Sequence, residues 1–155
     1  MPDTEPPELV EHDQQVTAVV KGVVPMTELP SFFDRSFGAL ARVLADQGVA
    51  PRSAAFALYR GAPTDVAELE VGFVTEGPVT PTDDVAISSL PAGRVARAVH
   101  AGSFDGLGEA WGALMGQVAA AGMTPGDTMW EVYLTEPSPD MDPADLRTEL
   151  NVLVT

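Results

Sequence analysis

Apolar side chains recur along this chain with two different periods. Phe33, Phe37, Leu40 and Leu44 fall on one face of a helix, and Leu107, Trp111, Leu114 and Val118 repeat that spacing. The first stripe predicts a helix over residues 31–47, capped by Ser31 and with Asp34 in its first turn. The second predicts a helix over 104–121. Gly48 and Gly122 end the two helices, and each is followed three residues later by a proline. Elsewhere apolar and polar residues alternate with a period of two. Strands are predicted over 7–12, 15–22, 54–60, 67–75, 84–90, 94–100, 129–135 and 147–154. Residues 75–83 read as a linker, and 136–144 as the matching loop.

The two helical stripes belong to a repeat. Gly38/Gly112, Ala39/Ala113, Leu40/Leu114, Ala45/Ala119, Gly48/Gly122, Pro51/Pro125 and Tyr59/Tyr133 are identical at a constant offset of 74. Upstream, residues 16–22 align on 95–101 at an offset of 79, which gives the first copy about five extra residues. Downstream, residues 68–74 align on 149–155 at an offset of 81. The expectation is one domain over 1–155, with pseudo-repeats over about 8–75 and 84–155 related by a pseudo-twofold axis. A seam between such halves is a natural place for a pocket. The predicted fold class is α+β: a duplicated strand-strand-helix-strand-strand unit, forming a curved antiparallel sheet with two helices on the convex face.

A chain of 155 residues is long enough for a proper core. Its formal net charge is −15, and Lys21 is the only lysine. Such a field repels phosphate backbones and attracts cations, so no direct nucleic acid binding is expected. No stretch approaches the roughly 18 apolar residues of a membrane span, so no membrane partner is expected. The opening MPDTEPPE is acidic and proline-rich, unlike a secretory signal, and reads as a frayed tail. With no cysteine, the simplest reading is a cytoplasmic protein. His12 and His100 lie in different halves without ligand spacing, so no metal is expected. His100 reads as a packing or hydrogen-bonding residue, and Trp111 as a buried anchor. Nucleotide loops, a GxSxG elbow and a cysteine nucleophile are all absent, so no cofactor is expected.

The strand alternation groups the polar residues. Trp130, Val132 and Leu134 share one face of their strand; Glu131, Tyr133 and Thr135 share the other. Phe56 and Leu58 repeat the first face, and Tyr59 the second. Leu150, Val152 and Val154 oppose Arg147, Glu149 and Asn151; Leu69, Val71 and Phe73 oppose Glu68 and Glu70. If the apolar faces meet the helices, then Tyr59, Tyr133, Glu131, Glu149, Asn151, Glu68 and Glu70 share the opposite surface. Rings beside carboxylates suit a flat apolar cation. The alternative is an ordinary solvated sheet face. Met26 and Phe32, beside the inserted loop, are placed to close one end of the cavity.

Leu90 to Val154, with its PAG turn, the helix entry HAGSFDGLGEAW, the strand EVYLTEP and the strand DLRTEL, resembles the GyrI-like effector-binding domain family. The first half matches more loosely. The resemblance implies a duplicated strand–strand–helix–strand–strand fold with a central cavity between the repeats. It implies a drug-binding regulatory domain, a gyrase-inhibitory protein or a hydrolase of strained cyclopropane toxins. It assigns the family's inward acid to Glu149 and its strand tyrosine to Tyr133. No DNA-binding domain precedes the repeat, so the expectation is a stand-alone, multidrug-type binder of hydrophobic aromatic or cationic small molecules. Glu149 is the expected charge partner, with Glu131 and Glu68 as the next candidates. The rival is a hydrolase in which Glu149 activates water and Tyr133 donates a proton.

Overall fold

A computed structural model of the chain describes residues 8–61, 64–135 and 140–155. Residues 1–7 of the expected tail and 136–139 of the second loop lie outside them. In chain order the described residues form β1 (Glu8–His12), β2 (Gln15–Pro25), α1 (Leu29–Gln47), β3 (Phe56–Arg60), β4 (Val66–Val74), β5 (Ala86–Leu90), β6 (Gly93–Ala101), α2 (Leu107–Ala120), β7 (Pro125–Tyr133) and β8 (Arg147–Val154). The strand ladders within each unit are antiparallel, as expected of the α+β class.

The chain divides into two compact units. An amino-terminal unit spans Asp13–Ala92; a carboxy-terminal unit holds Gly93–Thr155 together with the residues up to His12. In the carboxy-terminal unit the strand order is β1-β6-β8-β7. There α2 covers one face, with Leu114 and Val118 packed on Ala96, Leu150, Val152 and Val154. In the amino-terminal unit the order is β3-β4-β2-β5. There α1 lays Leu40 and Leu44 on Ala18, Val79 and Val85.

The helices depart from the sequence reading at their starts. α1 begins at Leu29, its cap is Glu28 without a side-chain bond, and a proline occupies the first turn. Ser31 is therefore not the cap. Pro30 explains the early start: its fixed φ suits a first turn, and the N–H it lacks would have no partner there. The stretch predicted as one helix over 104–121 opens as a 3-10 turn at Phe104–Gly106 before α2. Gly48 does end α1, with φ 67° in the left-handed region.

Residues 75–83, read as a linker, contribute to the core instead. Val79 is buried. The Gln47 side chain ties this segment to α1, donating to the Thr80 carbonyl at 2.8 Å and accepting from its N–H at 2.7 Å. The repeat alignment also shifts. Gly22 faces Leu69, and Ala98 faces Leu150. With β4 set on β8 at an offset of 81, β2 and β6 correspond at 76 rather than 79, so the first copy carries two extra residues. Short apolar strands align almost equally well at several offsets, whereas a slip of one residue would turn every side chain to the wrong face.

Candidate functional site

The ladders decide which side chains share a face. Glu131 lies opposite Leu150, and Tyr133 opposite Thr148. Leu150 is in the core under α2, so Glu131 and Tyr133 project on the helix-covered side. Trp130 and Val132 lie opposite Asn151 and Glu149 and project on the helix-free side. In the amino-terminal unit Tyr59 pairs with Leu69, on the α1 side, whereas Leu58 pairs with Glu70 on the other. The expected single polar face is thus divided. Glu149, Asn151, Glu68 and Glu70 take the helix-free faces of their units; Glu131, Tyr133 and Tyr59 take the helix-covered ones. The physical reason is that both faces are buried. Trp130 is 1% exposed on the helix-free side and Leu150 is fully buried beneath α2, so burying the apolar set did not require placing it under the helix.

Beneath α2, Glu131 is the centre of a cluster. The Trp111 indole N–H donates to its Oε2 at 2.7 Å, and the Tyr133 hydroxyl donates to its Oε1 at 2.9 Å. α2 places Trp111 on its inner face among the core residues, and the strand period places Tyr133 two residues from Glu131 on the same side. The Phe104 ring stands edge-on to Tyr133 with centroids 5.9 Å apart. His100, on the same face of β6, bonds through Nε2 with the Ser103 carbonyl at 2.9 Å. Between His100 and Tyr133 lies Thr148, whose buried hydroxyl has no hydrogen-bond partner among the described residues. Glu131 is 6% exposed. Burial pushes its carboxyl above the usual carboxylate range; the bonds from Trp111 and Tyr133, and the charge of His100, pull it back only in part. Among the described residues Glu131 has no Lys or Arg ion pair.

Two of the helix-free acids, Glu149 and Glu70, have such partners. Arg97 Nε lies 3.3 Å from Glu149 Oε1 and donates to Asn151 Oδ1 at 2.8 Å. The Asn151 amide in turn donates to Glu149 Oε1 at 3.2 Å. In the other unit Arg60 donates to Glu70 Oε2 through Nε at 3.1 Å and Nη2 at 2.9 Å. Glu68 and Glu70 line a recess of about 260 Å³ with Lys21, Val23 and Arg60. Phe32 is a core residue, packed so closely over β2 that a Cβ on Gly22 would lie 2.5 Å from its ring; it does not stand free as a lid. Met26 is partly exposed in a 3-10 turn, its N–H bonded to the Asp65 carbonyl at 2.9 Å.

Glu149 and Tyr133 therefore project from opposite faces of the same sheet, and the pair expected for a hydrolase is not assembled. Trp111, His100, Phe104 and Arg97 are the members that sequence reasoning did not place near an acid. Trp111 and His100 were visible only as a core stripe and a strand end. Among the described residues no group of three or more metal-ligating side chains converges, and no helix is long and apolar enough to cross a membrane.

The profile of the GyrI-like small molecule binding domain matches residues 5–154. The chain belongs to that family. No curated protein matches it. Among solved structures, the EcmrR C-terminal domain superposes with a TM-score of 0.81 at 19% identity, covering 96% of each chain. In the EcmrR–DNA complex the same likeness spans 56% of the longer EcmrR chain. A hydrolase encoded by lin2189 from Listeria innocua gives a TM-score of 0.67 at 16% identity, over 97% of this chain and 92% of that one. SAV2435 bound to tetraphenylphosphonium gives 0.71 at 12% identity, over 97% and 94%. At these identities the likeness speaks for the fold.

Proposed function

We propose that this chain is a multidrug-type binder of aromatic, apolar and often cationic small molecules, and that Glu131 carries the recognition of charge. One observation carries the reading: Glu131 is a buried carboxylate held by two aromatic donors and lacks a lysine or arginine partner among the described residues. A carboxylate in that setting attracts a cation more strongly than one in water. Phe104 is exposed, and Tyr133 and Trp111 are half-buried, so aromatic rings beside the acid are partly open to solvent, and such rings suit a flat cation. Glu149 is less suited to this role because Arg97 already compensates it. The cation held by SAV2435, tetraphenylphosphonium, has the chemistry this arrangement favours.

The test is a titration with tetraphenylphosphonium and with neutral triphenylphosphine oxide, followed by tryptophan fluorescence. Glu131→Gln should weaken the cation by about 5- to 150-fold, the equivalent of about 1–3 kcal/mol for a partly buried charge contact, and change the neutral ligand little. Tyr133→Ala should weaken both ligands, since stacking area does not depend on charge. A selective loss in Glu149→Gln instead would move the charge partner to the helix-free face. Binding of neither ligand by the unaltered protein would end the reading.

A further inference from the structure

We propose that this site takes cations by proton exchange: the Glu131 carboxyl is neutral in the ligand-free protein, and an entering cation displaces its proton to solvent. The proposal rests on the reading of Glu131 as the charge partner and adds what the ligand must do to bind there.

Geometry is the first ground. An ionised carboxylate buried without a cation is costly, and two hydrogen bonds from aromatic donors repay only part of that cost. Among the described residues, the elements of its own unit packed against Glu131 give it no lysine or arginine partner. β7 offers the Tyr133 hydroxyl, and α2 offers the Trp111 indole. β8 offers Leu150 opposite and Thr148 beside it, neither acid nor base. β6 offers His100, whose charge is the one among neighbouring groups that lowers the Glu131 carboxyl. The 3-10 turn ahead of α2 offers Phe104, while Asp105 and Glu109 are exposed to solvent. The upward displacement of the carboxyl by burial agrees with this geometry.

The other half of the argument is contrast. Glu149 and Glu70 each have an arginine within ion-pair distance, so each already has a positive partner supplied by the fold. Of the acids named for the site, Glu131 alone combines deep burial with no ion pair among the described residues. The exchange balances simply. The O–H bond of the carboxyl breaks, its electron pair stays on the oxygen, and the proton passes to buffer. The cation then supplies the positive charge that the fold withholds. Neutral ligands bind the protonated site with no proton moved. The ligands favoured at higher pH are therefore permanent cations and amines that remain charged there.

Calorimetry of tetraphenylphosphonium in two buffers of equal pH and different ionisation heat counts the protons released. A fractional release of up to about one proton is expected for the cation and almost none for triphenylphosphine oxide. From about pH 5 upward, affinity for the cation should rise by at most about tenfold per pH unit and then level off once the free carboxyl is ionised. Glu131→Gln should abolish the release, and His100→Gln should keep it. Cation binding without proton release in the unaltered protein overturns the exchange while leaving cation binding itself intact. Release that survives in Glu131→Gln and vanishes in His100→Gln overturns it too, by assigning the proton to His100. If neither ligand binds, the exchange falls together with the reading of the site.

Discussion

Glu131 is where a single residue's chemistry departs most from its ordinary behaviour. Burial raises its carboxyl, and the hydrogen bonds from Trp111 and Tyr133 do not fully restore it. The consequence for stability has a definite sign. The folded state holds this proton more tightly than the unfolded chain does. Its contribution to stability is therefore complete below the ordinary carboxylate range and is lost as pH rises through the raised folded value. Each pH unit of displacement corresponds to about 1.4 kcal/mol. Urea unfolding at about pH 4 and pH 7.5 should show a smaller fall with rising pH in Glu131→Gln than in the parent. The difference between the two proteins isolates Glu131 from the other acids. An equal pH slope in both would show that the carboxyl is not displaced. This residue was named from the sequence, as a strand carboxylate beside Tyr133, but ranked behind Glu149, because neither its counter-charges nor its depth is written in local spacing.

At the scale of elements, β2 and β4 show how closely backbone approach is set by glycine. A Cβ on Gly72 would lie 1.9 Å from the Ala18 carbonyl oxygen and 2.9 Å from Val19 Cα, both backbone atoms that cannot swing aside. Gly38, on the exposed side of α1, has nothing within 4 Å of such a Cβ. The same substitution should act in opposite directions. Gly72→Ala should destabilise by about 3 kcal/mol or more, through strand displacement. Gly38→Ala should stabilise by about 0.5–1 kcal/mol, because alanine is the better helix former and restricts the unfolded chain. Chemical denaturation of the two variants distinguishes these effects, and a neutral Gly72→Ala would contradict the packing of β2 on β4. Both helices were legible from their stripes to within a few residues, since each lays one apolar face on a core. Their starts were not, because Pro30 and the turn at Phe104–Gly106 act through backbone geometry rather than hydrophobic period.

For the whole molecule, the dominant global property is a formal net charge of −15. Within the described residues, Glu149 and Glu70 have arginine partners, and so does Glu11, whose Oε1 lies 3.4 Å from Arg94 Nε, whereas Glu131 has none. A chain with this net charge carries like charges that repel one another. Raising salt from about 0.02 M to 0.3 M shortens the screening length from about 20 Å to about 6 Å and should raise the melting temperature. A melting temperature that falls with salt would mean that the few ion pairs outweigh the net repulsion. Family membership agrees with what the elements and ladders give in each unit, and it extends over residues 5–154.

What the sequence determined by itself was the α+β class, the identities recurring at a fixed offset, the position of nearly every strand and both helices, and the inventory of rings and acids. These follow from short-range rules: apolar spacing of 3.6 or 2, glycine after a helix, and identity at a fixed offset. Tertiary structure alone decided which face of each strand the helix covers. In β8 the alternation pointed the right way, with Leu150 and Val152 under α2. In β7 it pointed the wrong way: Trp130 took the helix-free side and Glu131 went beneath Trp111. Alternation says which residues travel together. It cannot say which of two buried faces they enter, because that depends on pairing between segments far apart in the chain. The same long-range pairing brought Arg97 to Glu149 and left Glu131 with two aromatic donors and, among the described residues, no arginine.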